Sequence, residues 1–110
     1  MNKDQLGAMV EAIGLPSAYY QFPEKTGQEP PFVCFYIQSS DDFTADNRNM
    51  VKIRNLVIEL YTDNKDYTWE AAVEAALDAA GLTYSTAESY IDSERMYLVA
   101  YSAQFIFTEE

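Results

Sequence analysis

Carboxylates cluster in the polar segment 39–47, and oxygen-bearing side chains of this kind are the ligands of hard cations. The candidate ligands are Asp41, Asp42, Asp46 and Asn47. Calcium takes about six to eight oxygen ligands, and the segment lacks the D-x-D-x-D-G spacing of an EF-hand loop. It is also rich in residues that favour turns. We therefore expect a solvated loop rather than a metal site, and we predict that the protein uses no metal or other cofactor.

Two further groups of acidic residues have simpler structural explanations than catalysis. The first group, around the start of a predicted helix, is Asp63, Asp66 and Glu70. Carboxylates at this place cap free N–H groups and face the positive end of the helix dipole. The second group is Glu88 with Asp92 or Glu94, a pair of the kind that glycosidases use. Acids are so abundant in this chain that such a pair carries little weight by itself.

The chain contains no histidine and a single cysteine, Cys34. This composition excludes Ser-His-Asp and Cys-His nucleophile pairs and histidine-ligated zinc. The glycines are isolated and far apart, so there is no phosphate-binding glycine-rich loop, and no G-x-S-x-G motif occurs. One cysteine cannot form an internal disulfide, which agrees with a reducing compartment. We predict that the protein is not an enzyme.

The 110 residues carry 7 Lys+Arg against 18 Asp+Glu, a formal net charge of −11. Such a field repels the nucleic-acid backbone, so sequence-specific nucleic-acid binding is disfavoured. The excess acids lie mainly in residues 66–110, whereas a group of cations lies in the middle: Arg48, Lys52, Arg54 and Lys65. These charges form either two solvated faces or a dipolar subunit whose basic patch meets the acidic patch of a neighbouring copy.

Two amphipathic helices are predicted from apolar residues that recur at helical spacing. In residues 3–13 these residues are Leu6, Met9, Val10 and Ile13, and Gly14 follows at a position where helices commonly end. In residues 66–80 they are Trp69, Ala72, Val73, Ala76, Leu77 and Ala80, followed by Gly81. The second pattern places Trp69, Val73 and Leu77 against the core, with acids on the opposite face.

Strand patterns occupy most of the remaining chain outside a loop at 23–31 and the polar segment. The predicted strands are 18–22, 32–38, 50–62, 82–91 and 95–107, with a tight turn at 92–94. In the last strand, alternate residues from Tyr97 to Phe107 line one face. The strand 50–62 changes the phase of its alternation, which predicts a bulge or bend near Arg54-Asn55.

The element order is therefore α-β-β-β-α-β-β, without an internal repeat. Neighbouring strands joined by short loops pair antiparallel, and both helices need a face to cover. We predict one α+β domain over residues 1–110, with a mainly antiparallel sheet of about five strands and two amphipathic helices. No apolar run approaches the roughly 20 residues that span a bilayer, and the start of the chain lacks a leader pattern, so no membrane association is expected.

The segment 39–50 is the strongest candidate for an interaction site. It is either a long hairpin loop or a mobile arm, and it carries Phe43 and Met50 in a hydrophilic stretch. An apolar side chain in such a segment either contacts its own domain loosely or anchors in a pocket of a neighbouring subunit. The candidate interaction residues are Asp42, Phe43, Asp46, Arg48, Met50, Lys52 and Arg54. Seven tyrosines could add a stacking platform, although strand positions and subunit contacts account for them more simply.

Four short segments of the sequence resemble a known class of proteins. They are Leu15-Pro16-Ser17-Ala18-Tyr19-Tyr20-Gln21-Phe22-Pro23, Pro30-Pro31-Phe32-Val33-Cys34-Phe35-Tyr36, Asp42-Phe43-Thr44-Ala45-Asp46-Asn47 and Ile58-Glu59-Leu60-Tyr61-Thr62-Asp63. Together with the acidic helix that follows, they resemble small structural proteins of tailed bacteriophages and prophages of Gram-positive bacteria, in the head–tail joining or tail-completion class. The resemblance runs over about residues 14–107 and includes no invariant motif.

This resemblance implies an α+β subunit without enzymatic activity that forms a ring, commonly a hexamer, at the head-proximal end of the tail tube. It implies assembly in the host bacterial cytoplasm and incorporation into the virion. The implied partners are further copies of the chain and other head–tail or tail-tube proteins. A second hypothesis is a DNA-mimic inhibitor whose carboxylates occupy the basic cleft of a nucleic-acid-binding enzyme. The cations at 48–65 interrupt the acidic face that such a mimic needs.

Overall fold

The computed structural model describes residues 1–22 and 28–109 of the chain. Its elements are α1 (Lys3–Glu11), β1 (Ser17–Tyr19), β2 (Phe32–Ser40), β3 (Phe43–Ala45), β4 (Arg48–Val51), β5 (Ile53–Thr62), α2 (Tyr67–Ala79), β6 (Tyr84–Ile91) and β7 (Met96–Ile106). The predicted α+β class and the predicted order of the long elements are confirmed. Part of the predicted loop 23–31 lies outside the described residues.

Five strands form the main sheet in the order β1-β2-β5-β7-β6. The pairs β2–β5, β5–β7 and β6–β7 are antiparallel, which confirms the predicted mainly antiparallel sheet, while β1 pairs parallel with β2. The strand predicted at 18–22 is shorter and begins one residue earlier. Its chain then turns at Tyr20, which has a φ of 69°.

Capping side chains start both helices. Asn2 and Gln5 form a capping box at α1, in which each side chain accepts the other residue's backbone N–H at 2.8 Å. At α2 the side chain of Asp66 accepts the N–H of Trp69 at 3.2 Å, which confirms the predicted capping role. Gly81 follows α2 with a φ of 74°, the left-handed conformation that ends many helices.

The core lies between the helices and one face of the sheet. Its members include the helix residues that the periodicity selected, among them Val10, Val73 and Leu77. From the sheet, alternate residues of β7 from Val99 to Phe105 are buried, as predicted. Trp69 packs against this cluster and is partly buried. In the described residues no helix is both long and apolar enough to cross a bilayer.

The segment 39–50 and the strand predicted at 50–62 needed correction. Residues 43–51 form a separate two-stranded hairpin, β3–β4, and regular strand structure breaks at Lys52. The predicted bulge or bend near Arg54-Asn55 does not lie in β5, whose pairing with β7 is continuous. The extra residue is Gln38 in the facing strand β2, because Ile37 pairs with Leu56 and Ser39 with Asn55. When the pairing of two strands shifts by one residue, the extra residue can lie in either strand.

Candidate functional site: the β3–β4 hairpin

The hairpin turns tightly at Asp46 and Asn47. Their φ angles are 52° and 61°, so both residues are in the left-handed region that a two-residue type I′ turn requires. Aspartate and asparagine tolerate this conformation better than most non-glycine residues. Asp46, one of the predicted interaction residues, therefore lies exposed at the tip for a local structural reason.

Asp42 joins the hairpin to the start of β5. Its Oδ1 accepts the N–H of Ile53 at 2.9 Å and a guanidinium N–H of Arg54 at 2.6 Å, and its Oδ2 accepts the amide of Asn49 at 2.8 Å. Burial of the carboxyl group opposes ionisation, but these donors and the charge of Arg54 outweigh it. The pKa of Asp42 therefore lies below its ordinary value. Two predicted interaction residues, Asp42 and Arg54, thus brace the hairpin.

A second set of polar contacts lies beside this brace. The Asp41 carboxylate accepts the amides of Asn55 and Gln104 at 2.9 and 3.2 Å, and Asn55 also donates to the Ser39 hydroxyl at 2.8 Å. Gln104 donates to Asn55 at 2.8 Å. These contacts join β2, β5 and β7 across up to 63 positions of sequence. No local pattern in the sequence could have found them.

We predict that replacing Asp42 by asparagine loosens the base of the hairpin. The Ile53 amide, which donates to Asp42, should exchange with solvent faster in the variant, as measured by NMR hydrogen exchange. In the wild type, a lowered pKa means that the contact is complete above the ordinary aspartate pKa and is lost as pH falls through the lower, folded-state value. Asp46→Asn at the exposed tip is the matched control. Equal Ile53 exchange in both variants would contradict the bracing role.

The hairpin end of the molecule exposes large apolar side chains. Phe43 is 60% exposed and Met50 is 56% exposed, and Ile106 at the end of β7 is 57% exposed. Met50 has no cross-strand partner, because Phe43 pairs with Val51 and Thr44 with Asn49. Met50 and Ile106 line one shallow depression together with Lys52. The structure thus places two predicted interaction residues, Met50 and Lys52, beside Ile106. Ile106 was not among the residues predicted from the sequence.

Most of the predicted basic patch is neutralised within the chain. Besides the Asp42–Arg54 pair, Lys52 lies 3.1 Å from Glu109, and Lys65 pairs with both Glu70 and Glu88. Arg54 also lies over the Phe107 ring, 5.5 Å from its centroid. Among residues 1–22 and 28–109, Arg48 makes no ion pair and is exposed at the end of the hairpin turn. The charge that the hairpin can offer to a partner is therefore concentrated at Arg48.

The fold itself has a known counterpart. A solved chain from the virion of a native gene transfer agent particle superposes with a TM-score of 0.59. The two chains share one fold. The alignment covers 94% of this chain and 90% of the gene transfer agent chain at 17% sequence identity. No protein-family model matches the sequence, and a search of curated proteins finds no similar sequence.

The likeness to the gene transfer agent chain extends over almost the whole of both molecules. At this level of identity the gene transfer agent chain informs the fold and not individual side chains. The candidate site therefore depends on the contacts seen in this chain, above all the braced hairpin with its exposed Phe43 and Met50.

Two other groups that could do chemistry, Glu88 and Cys34, are accounted for by their surroundings. Glu88, considered above as half of a catalytic pair, binds Lys65. Burial, reinforced by the negative charge of Glu59, raises the pKa of the Cys34 thiol to about 11, so Cys34 is unreactive at neutral pH. Within residues 1–22 and 28–109, no three acidic or cysteine side chains converge as a metal site would require.

Proposed function

We propose that this protein is a non-enzymatic structural component of a phage or phage-like virion. The observation that carries the proposal is the fold shared with a chain of the gene transfer agent virion over nearly the full length of both chains. The sequence segments that resemble head–tail joining and tail-completion proteins support a location of this protein at the head–tail junction or at the end of the tail. The protein assembles in the host bacterial cytoplasm and becomes part of the virion.

We propose further that copies of the chain assemble as a ring, six being the number that the resemblance implies. A ring subunit needs two different surfaces, because each copy binds its neighbour head to tail. The braced hairpin is suited to be one of them, since it exposes Phe43 and Met50 on a support that costs little to order. Around these two, Asp46, Arg48 and Lys52 form a polar rim, while Asp42 and Arg54 hold the base.

The other partners in this proposal are head–tail or tail-tube proteins, and DNA passes through the ring without being read. The net charge of −11 suits that task, because an acidic lumen does not retain the phosphate backbone. No membrane and no cofactor take part.

The proposal predicts that the purified protein forms one closed species of several copies as its concentration rises. Native mass spectrometry and light scattering, run from nanomolar to submillimolar concentration, measure the copy number. Electron microscopy of the same sample should show rings with a central channel, unchanged by EDTA because no metal holds them. A chain that stays monomeric or dimeric throughout would refute the ring and favour the small acidic inhibitor.

A further inference from the structure

An apolar groove runs between the two helices. The buried side chains of Met9 and Ala76 lie at its base. Its walls are Ala8 of α1, Ala79 of α2 and the residues Ala12 and Ala80 that follow these helices, and Met1 and Gln5 complete the lining. Alanine side chains do not fill the space between the helices, and an open groove of about 560 Å³ remains. The wall residues are exposed to solvent.

The negative ends of both helices lie unneutralised beside this groove. Neither α1 nor α2 has a basic residue in its last turn, where cations normally complement the helix dipole. Instead, the last turns expose Glu11 and Asp78. A cation from another molecule would meet a favourable potential there.

The hairpin is complementary to the groove in its apolar side chains and in its charge. It exposes two large apolar side chains, Phe43 and Met50, which the chain's own core does not bury. Arg48, the exposed cation of the hairpin, follows the turn between them. Because the base is braced through Asp42, little ordering is needed when these side chains bind a partner.

We propose that the hairpin of one copy docks in the helix groove of the next copy. Phe43 and Met50 enter the space above Met9 and Ala76, and Arg48 meets the acidic helix ends at Asp78 and Glu11. This contact rests on the proposed ring and names the two surfaces that build it. Since the surfaces differ, the contact is heterologous and can close a ring.

Two variants that each disable one surface test the pairing. Phe43→Ala removes the main side chain of the hairpin, and Ala79→Gln fills the groove with a residue that helices accept well. Each variant alone should assemble with a dissociation constant weakened about tenfold or more. Ala75→Gln, on an exposed position of α2 outside the groove, is the matched control and should assemble as the wild type does. Unchanged thermal melting shows that each variant is folded.

Mixing the two variants in equal amounts provides the decisive measurement. The Phe43→Ala copy keeps an intact groove, and the Ala79→Gln copy keeps an intact hairpin. One-to-one heterodimers should therefore form at concentrations where each variant alone is monomeric. Native mass spectrometry distinguishes the heterodimer by mass. Wild-type assembly by either variant, or a mixture that stays monomeric, would overturn the docking while leaving the ring itself in place. A wild type that never assembles would instead overturn both proposals.

Discussion

Replacing Leu77 by alanine is expected to lower the free energy of unfolding by about 2–5 kcal/mol. Leu77 has 0% exposure and belongs to the cluster that joins α2 to the sheet. Truncating it removes buried methyl groups and leaves a cavity whose lining loses its contacts. Urea denaturation followed by circular dichroism, at concentrations where the protein is monomeric, measures the change.

The control for this prediction is Met50→Ala, a truncation of similar size at a side chain that is 56% exposed. In the monomer it should change stability by no more than about 0.5 kcal/mol. If Leu77→Ala also lowered the free energy of unfolding by no more than about 0.5 kcal/mol, this face of α2 would not form part of the core. The comparison therefore tests the orientation of α2 directly.

Replacing Tyr101 by phenylalanine is expected to destabilise the monomer by about 1.5–3 kcal/mol, the range for a hydrogen bond to a charged group. The Tyr101 ring is 1% exposed, and its hydroxyl donates to the Glu74 carboxylate of α2 at 3.1 Å. Tyr84 donates to the other Glu74 oxygen at 3.2 Å. Without the Tyr101 hydroxyl, one oxygen of a partly buried carboxylate loses its donor within the network.

Tyr90→Phe is the matched control, because it removes the same hydroxyl from an exposed ring and should leave stability almost unchanged. Burial, followed by the charge of Glu74, raises the pKa of Tyr101 above its ordinary value. The contribution of this contact is thus complete below the ordinary tyrosine pKa and is lost as pH rises through the higher, folded-state value. Equal chemical denaturation midpoints for both variants would show that the Tyr101–Glu74 bond adds nothing to stability.

Local patterns in the sequence determined most of the fold. Helical spacing selected Val10, Val73 and Leu77 as core residues, because one face of a helix must be apolar wherever it covers a sheet. Alternation along β7 likewise identified its buried face. The capping role of Asp66 was also readable, since its partner lies only three residues away. The absence of histidine excluded the common hydrolase designs without any structure.

Only part of the hairpin could be predicted from the sequence. The turn-forming residues Asp46 and Asn47 marked a reversal of the chain, and Phe43 and Met50 marked a contact surface. Whether the segment formed a loose arm or a braced hairpin depended on Asp42 reaching Ile53 and Arg54, more than ten positions away. The position of the bulge was also open, because either of two facing strands can hold the extra residue.

Only the tertiary structure decided which residues from distant parts of the chain meet. The parallel pairing of β1 with β2, the Asp41–Gln104 contact and the groove between α1 and α2 each join segments with no shared local pattern. Alanine at positions 8 and 79 indicates a helix in the sequence and nothing more, and it lines a cavity only because the two helices pack side by side. Periodicity records which face of an element is buried, whereas the neighbour that buries it is selected by packing across the whole chain.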